Sequence, residues 1–157
     1  MIPRTAPSLK ARALGLLARR EHSRHELAAK LTRHLQEGDD LRALLDALQA
    51  SGLLSDERAA ASVVHRRAPL LGTQRVAQEL RRKGLSEALV RASTTALADT
   101  ELQRARAVWH KRFGGEVATS PQERARQMRF LAARGFSGEV VRRVVRGRGG
   151  ADDDQEL

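Results

Sequence analysis

Residues 79–91 read Glu-Leu-Arg-Arg-Lys-Gly-Leu-Ser-Glu-Ala-Leu-Val-Arg, and residues 130–142 read Phe-Leu-Ala-Ala-Arg-Gly-Phe-Ser-Gly-Glu-Val-Val-Arg. Leu80, Gly84, Leu85, Ser86, Leu89 and Val90 fall on Leu131, Gly135, Phe136, Ser137, Val140 and Val141. Each stretch spells a helix end, a glycine, an apolar residue, a serine cap and a new helix. A unit repeated along a basic chain predicts an extended, modular binding surface and argues against a single catalytic pocket.

The chain has 157 residues, and aromatics make up only 3%, so the core must come from Leu, Val and Ala. Ala, Leu and Arg are strong helix formers. The four prolines, Pro3, Pro7, Pro69 and Pro121, lie at the start of the chain or between periodic segments. An all-α protein is expected. Without cysteine there is neither a disulfide framework nor thiolate chemistry. No apolar run approaches membrane-spanning length, and the first residues lack a signal-peptide core. A cytoplasmic location and no membrane partner are therefore expected.

The net charge of +10 is unevenly placed. Residues 151–157 hold Asp152, Asp153, Asp154 and Glu156 and no base, so residues 1–150 carry +10 + 4 = +14. Such a body attracts a polyanion: nucleic acid, an acidic protein face or a nucleoprotein. The acidic end reads as a disordered solubilising tail hinged at Gly147, Gly149 and Gly150.

Caps divide the chain into nine expected helices. The first runs from Leu9 to Arg20. Ser23 with Glu26 forms a capping box for the second. Asp39 or Asp40 caps the third, which Gly52 stops. Ser55-Asp56-Glu57 opens a fourth, ending before Pro69. Thr73 begins a fifth, with Val76, Ala77 and Leu80 inward and Arg75, Arg81 and Arg82 outward. Ser86 restarts the chain after Gly84. Asp99 and Thr100 open a helix reaching Phe113, and Ser120-Pro121-Gln122-Glu123 opens another. Ser137 starts the last, with Val140, Val141, Val144 and Val145 buried.

The grouping predicts an N-terminal extension (1–8), three-helix repeats at 9–53, 54–98 and 99–147, and the acidic tail (148–157). Leu31, Leu80 and Leu131 are equivalent positions. Leu35 stands where the other units have Gly84 and Gly135, so a longer or differently shaped turn is expected there. Hinges are expected near 53–55 and 97–100.

Catalytic motifs are sparse, and no enzyme is expected. His25-Glu26 opens like a metalloprotease helix, but Ala29 stands where the second histidine would be. His22, His25 and His34 read as surface residues beside arginines. No metal, cofactor or small-molecule substrate is expected, and no phosphate-binding loop is present. The binding signals are Arg75, Arg81, Arg82 and Lys83 in the middle unit. The third unit adds Arg124, Arg126, Arg129 and Arg134, then Arg142, Arg143, Arg146 and Arg148. Arginine forks suit phosphates and carboxylates equally, so these residues do not separate DNA from an acidic protein. Trp109, with Lys111, Arg112 and Phe113, is the one large aromatic cluster, read first as core packing and second as an exposed anchor.

Four strings converge on a family: Arg19-Arg20-Glu21-His22-Ser23-Arg24-His25-Glu26-Leu27, Ser51-Gly52-Leu53-Leu54-Ser55-Asp56-Glu57-Arg58-Ala59-Ala60, Ala107-Val108-Trp109-His110-Lys111-Arg112-Phe113-Gly114, and residues 126–137 from Arg126 through Ser137. In that order they resemble the RecX family, bacterial regulatory proteins of recombination, over about residues 9–146. Ala59-Ala60 departs from the family, which commonly has an aromatic beside alanine. The resemblance implies three tandem three-helix repeats in an elongated, curved array. It also implies a partner, RecA polymerised on single-stranded DNA, whose ATP hydrolysis, strand exchange and stimulation of repressor self-cleavage such proteins oppose during DNA repair and the SOS response. On this reading the outward arginines, Lys83, Lys111, Arg112 and Trp109 form the contact surface of a monomer. The runner-up is a helical protein that binds DNA directly, without RecA.

Overall fold

The computed structural model describes residue 2 and residues 5–147, so Arg148 and the acidic tail lie outside the described residues. Among the described residues there are eight helices and no strands. They are α1 (Leu9–Arg19), α2 (Arg24–Thr32), α3 (Leu41–Ala50), α4 (Asp56–Arg67), α5 (Thr73–Arg82), α6 (Glu87–Phe113), α7 (Pro121–Ala133) and α8 (Gly138–Val145).

Their starts follow the cap chemistry. Ser8, Ser23, Asp40, Ser55, Ser86, Ser120 and Ser137 each accept a backbone N–H of the first turn through the side chain. This satisfies donors that have no partner inside the helix. The box at Ser23 and Glu26 is complete. At Ser120 only half of it forms, and the Glu123 carboxylate turns instead to Arg126, 3.4 Å away.

Three apolar clusters define three units. Leu9, Ala13, Leu27, Leu31, Leu45, Leu48 and Leu54 form the first, from α1 to α3. The second gathers Ala60, Val63, Val76, Leu80, Leu85, Val90 and Leu97 from α4, α5 and the front of α6. The third joins Ala105 on the rear of α6 to Leu131, Phe136, Val141, Val144 and Val145. Each buried leucine contributes about 1.5–3 kcal/mol of transfer free energy. Ala59 and Ala60 are both buried, so α4 packs closely through small side chains.

One expectation fails here. Nine helices were expected, with a hinge near 97–100, but α6 runs unbroken through the boundary expected between 98 and 99. No glycine or proline interrupts 87–113. Thr100, read as a cap, bonds back through Oγ1 to the Leu97 carbonyl at 3.3 Å, a geometry compatible with a helix interior. Val90, Leu97, Glu101 and Ala105 are buried along one continuous stripe. Units two and three therefore share a spine about 40 Å long.

The turn at Leu35 is longer, as expected. Residues 33–40 separate α2 from α3, whereas 83–86 and 134–137 suffice in the other units. Leu35 is exposed there, and Gly38 takes the left-handed conformation at φ 87°.

Candidate polyanion interface

The middle helices α7, α5 and α2 meet end to end, and this relay sets where the cations lie. The last turn of α5 abuts the first turn of α2. There Ser23 Oγ donates to the Lys83 carbonyl at 2.5 Å, and Gly84 lies against the His25 ring. The last turn of α7 abuts the first turn of α5 in the same way. The Gly72 N–H donates to the Arg134 carbonyl at 2.8 Å, and Gly72 lies against the backbone of Gly135. Each junction satisfies a helix-end carbonyl that would otherwise lack a partner.

These junctions consume some of the expected contact residues. Arg75 was read as outward, but it is half-buried in the second junction. Its Nη1 donates to the Ala133 carbonyl at 3.2 Å, its Cβ packs against Gly135, and its Nε is buried without a partner among the described residues. The outward reading of Arg75 is thus corrected, because burial against the next unit does not register in one helix's own periodicity. Lys83 is half-buried too and donates through Nζ to Glu26 Oε2 at 3.1 Å. His22, read as a surface histidine, is 1% exposed. It sits between the Arg20 carbonyl (3.0 Å from Nδ1) and Lys30 Nζ (3.0 Å from Nε2). Burial, together with the charges of Arg20 and Lys30, pushes its pKa down, against the bond to the Arg20 carbonyl. Burial alone would raise the pKa of Glu26, but hydrogen bonds from Arg20, the Ser23 N–H and Lys83 outweigh it and hold the carboxyl at about 2.

Trp109 is half-buried, with Nε1 donating to Gln127 Oε1 at 2.9 Å. Gln127 is itself buried and donates to the Glu116 carbonyl at 3.1 Å. This matches the core-packing reading of Trp109, although one edge of the ring still lines a hollow.

The remaining cations stand outward in groups. Arg124, Arg142 and Arg146 line a hollow of about 400 Å³ with Val117, Ala118, Met128 and Val145, and no acid lines it among the described residues. Arg143 joins Arg106, Trp109 and His110 around another of about 470 Å³. Lys111, Arg112 and Arg134 surround a third of about 500 Å³. Arg82 and Lys83 share a fourth, of about 480 Å³, with Arg66, Arg67, Glu26 and Glu79. On unit one Arg12, Arg19, Lys30 and Arg33 line a further hollow of about 420 Å³ with Leu16, Leu31 and His34, and the other expected contact residues have partners or stand apart. Arg81 pairs with Glu87 at 2.7 Å, Arg126 with Glu123, and Arg129 is exposed on α7.

Sequence reasoning missed Arg66, Arg67 and Arg106, which line these hollows, and Arg104. The basic last turn of α4 (His65, Arg66, Arg67) was a signal for the first two. Arg104 is internal. Its guanidinium donates to the carbonyls of Ala68, Leu71 and Leu97 and to Thr73 Oγ1, and burial lowers its pKa. It ties the α4–α5 loop to the shared spine.

No group of three metal-ligating side chains occurs among the described residues. No helix among them is long and apolar enough to cross a membrane. The outward cations thus line hollows spread over several units.

Comparison with known proteins is consistent along the chain. Three family models match in tandem: the first three-helix domain of RecX at residues 10–46, the second at 55–93 and the third at 99–145. The chain is 48% identical to a protein of Ralstonia nicotianae named regulatory protein RecX, over 98% of this chain and 96% of that one. It is 52% identical to one of the same name from Leptothrix cholodnii, over 88% of each. The crystal structure of RecX from Lactobacillus salivarius superposes with a TM-score of 0.73 at 17% identity, over 88% of this chain and 92% of that one.

Proposed function

The chain belongs to the RecX family of regulatory proteins, and from that premise we propose that it binds RecA filaments on single-stranded DNA and inhibits them. The activities opposed are ATP hydrolysis, strand exchange and repressor co-cleavage, in recombination, DNA repair and the SOS response. The supporting observation is the distribution of outward cations over several hollows on successive units. A filament presents the same surface once per subunit. Weak contacts tied along one body then gain avidity without any tight single site. The protein acts by binding, not by catalysis, and as a single chain in the bacterial cytoplasm. Direct contact with the filament's DNA would use the same arginines for phosphate.

The test is RecA-dependent ATP hydrolysis on single-stranded DNA, titrated with this protein. Inhibition is expected at sub-stoichiometric to equimolar ratios. Charge reversal of Arg82, Arg142 and Arg143 should relieve it while helicity is unchanged, and undiminished inhibition would refute the surface assignment.

A second reading rests on the hollow of Arg124, Arg142 and Arg146, where three guanidinium groups and no acid suit a backbone phosphate. A protein acting on DNA directly would bind a bare oligonucleotide more tightly than a RecA-coated one, with steep salt dependence.

A further inference from the structure

The hollow bounded by Lys111, Arg112 and Arg134 has the most apolar lining of those described. Its floor is apolar: Pro69 and Leu70 from the α4–α5 loop, Ala107 and Val108 from α6, and Phe130 from α7. Leu70 is 44% exposed, the only large apolar side chain of the α4–α5 loop left so open among the described residues. No acid lines the groove, and none of its three cations has an ion-pair partner among the described residues.

We propose that this groove binds an acidic protein segment carrying an aliphatic anchor: the anchor seats on Leu70, Val108 and Phe130, while carboxylates meet Lys111, Arg112 and Arg134. Charge complementarity admits either polyanion, and the nature of the floor selects this occupant over nucleic acid. A base needs an open aromatic face on which to stack. Phe130 does not offer one. Arg134 lies over its ring at 5.0 Å from the centroid, Arg112 at 5.6 Å, and Phe113 meets it edge-on at 5.4 Å and 82°. The same two guanidinium groups, already placed by the ring, keep outward donors for carboxylates.

The groove is also preorganised. Its two walls come from units two and three, which the continuous α6, the Arg104 bonds and the Gly72–Arg134 hydrogen bond hold together. A partner therefore meets a wall that needs little ordering on binding.

Peptide binding requires neither recombinase nor DNA, so it succeeds or fails independently of the filament reading. The probe is a fluorescein-labelled twelve-residue peptide with two adjacent leucines among aspartates and glutamates. Its anisotropy is followed with the full chain at 50 and 300 mM salt. Saturable binding that weakens with salt is expected. Leu70→Asp should weaken it at least tenfold and Lys111→Glu severalfold. Leu53→Asp, at another exposed leucine outside the groove, should change nothing. Both groove positions are exposed, so unchanged helicity is the expected folding control.

Equal binding of a peptide with serines for leucines would overturn the proposal, since charge alone would then suffice. So would equal weakening by Leu70→Asp and Leu53→Asp, or a Leu70→Asp effect on a single-stranded oligonucleotide as large as that on the peptide. A synthetic peptide of residues 148–157 that outcompetes the probe would assign the groove to the chain's own tail and overturn the foreign partner.

Discussion

The two junctions between units perform one task with different chemistry. Each sets the start of a middle helix against the glycine turn that ends the next. At the junction of units one and two the bonds run through side chains. Ser23 reaches the Lys83 carbonyl, the Arg24 N–H donates to Asp56 at 2.8 Å, Glu26 accepts from Arg20 and Lys83, and Arg58 pairs with Glu21 at 2.9 Å. At the junction of units two and three a backbone bond from Gly72 to Arg134 is joined by guanidinium bonds to main-chain carbonyls, Arg75 to Ala133 and Arg104 to Ala68 and Leu71. No ion pair crosses this joint among the described residues, and a shared helix does. Backbone contacts are insensitive to pH and salt, whereas ion pairs are sensitive to both. The first junction is the adjustable one, and the second makes units two and three a single body.

The sharpest way to break this comparison is to add one methyl at each junction. A Cβ at Gly72 would lie 2.2 Å from the Gly135 backbone, which cannot move aside without dismantling the turn. Gly72→Ala should cost about 3 kcal/mol or more, in the upper range for overpacking. At Gly84 the obstructing atoms are Cγ and Cβ of His25, and the Cβ cannot swing aside without moving the first turn of α2. To this Gly84 adds the strain of φ 73°, about 1–2 kcal/mol. Thermal unfolding of the two variants side by side should show a large loss at both junctions, and a loss below about 1 kcal/mol at either would mean that the glycine contact there is not tight.

Arg104 comes next. Replacing it with methionine preserves the stem but leaves three carbonyls and a hydroxyl without their donor. Water can reach some of them, so a loss of about 2–3 kcal/mol is expected in denaturant unfolding. Hydrogen exchange should locate that loss in the α4–α5 loop and leave α2 protected.

Acid should then loosen the first junction in two stages. His22 has its pKa lowered in the folded state, so the unfolded chain takes the proton first, and stability falls as pH drops below about 6.5. Glu26 is held at about 2 against 4.5, so its contribution is complete above about 4.5 and is lost as pH falls toward 2. The second stage is worth up to about 3 kcal/mol, and Glu26→Gln should remove about 2 kcal/mol at neutral pH. Amide exchange at the start of α2 should rise with acid before exchange at Gly72, whose bond to Arg134 contains no titratable group.

What was legible in the sequence, and what was not, follows the same division. The caps at Ser23, Ser55, Ser86 and Ser137 and the left-handed glycines Gly84 and Gly135 are local devices, and each was readable from a few neighbouring residues. Cores within a unit were readable from helical period. Contacts between units were not. Arg75 and Lys83 looked like free cations and His22 like a surface residue. The two cations owe their place to partners more than fifty residues away, which one-helix periodicity cannot register, and His22 is enclosed in the bend between α1 and α2, where that periodicity does not run. The break expected at Asp99 and Thr100 failed for a related reason. Polar residues there can serve a helix interior when neighbouring elements offer partners, as Thr73 does through its N–H to buried Glu101 at 3.1 Å.

The smallest expected effect is the most discriminating. Ser23→Ala removes two bonds at once, the cap to the Glu26 N–H and the hydroxyl donated to Lys83. A lost cap alone costs about 1 kcal/mol. Ser86 supplies the comparison, since its hydroxyl caps α6 at Leu89 and makes no bond to another unit among the described residues. If the junction depends on the hydroxyl, Ser23→Ala should exceed Ser86→Ala by about 0.5–1.5 kcal/mol, the net value of one hydrogen bond. Equal losses would mean that Ser23 acts only within its own helix and that Glu26, Lys83 and Asp56 carry the joint without it.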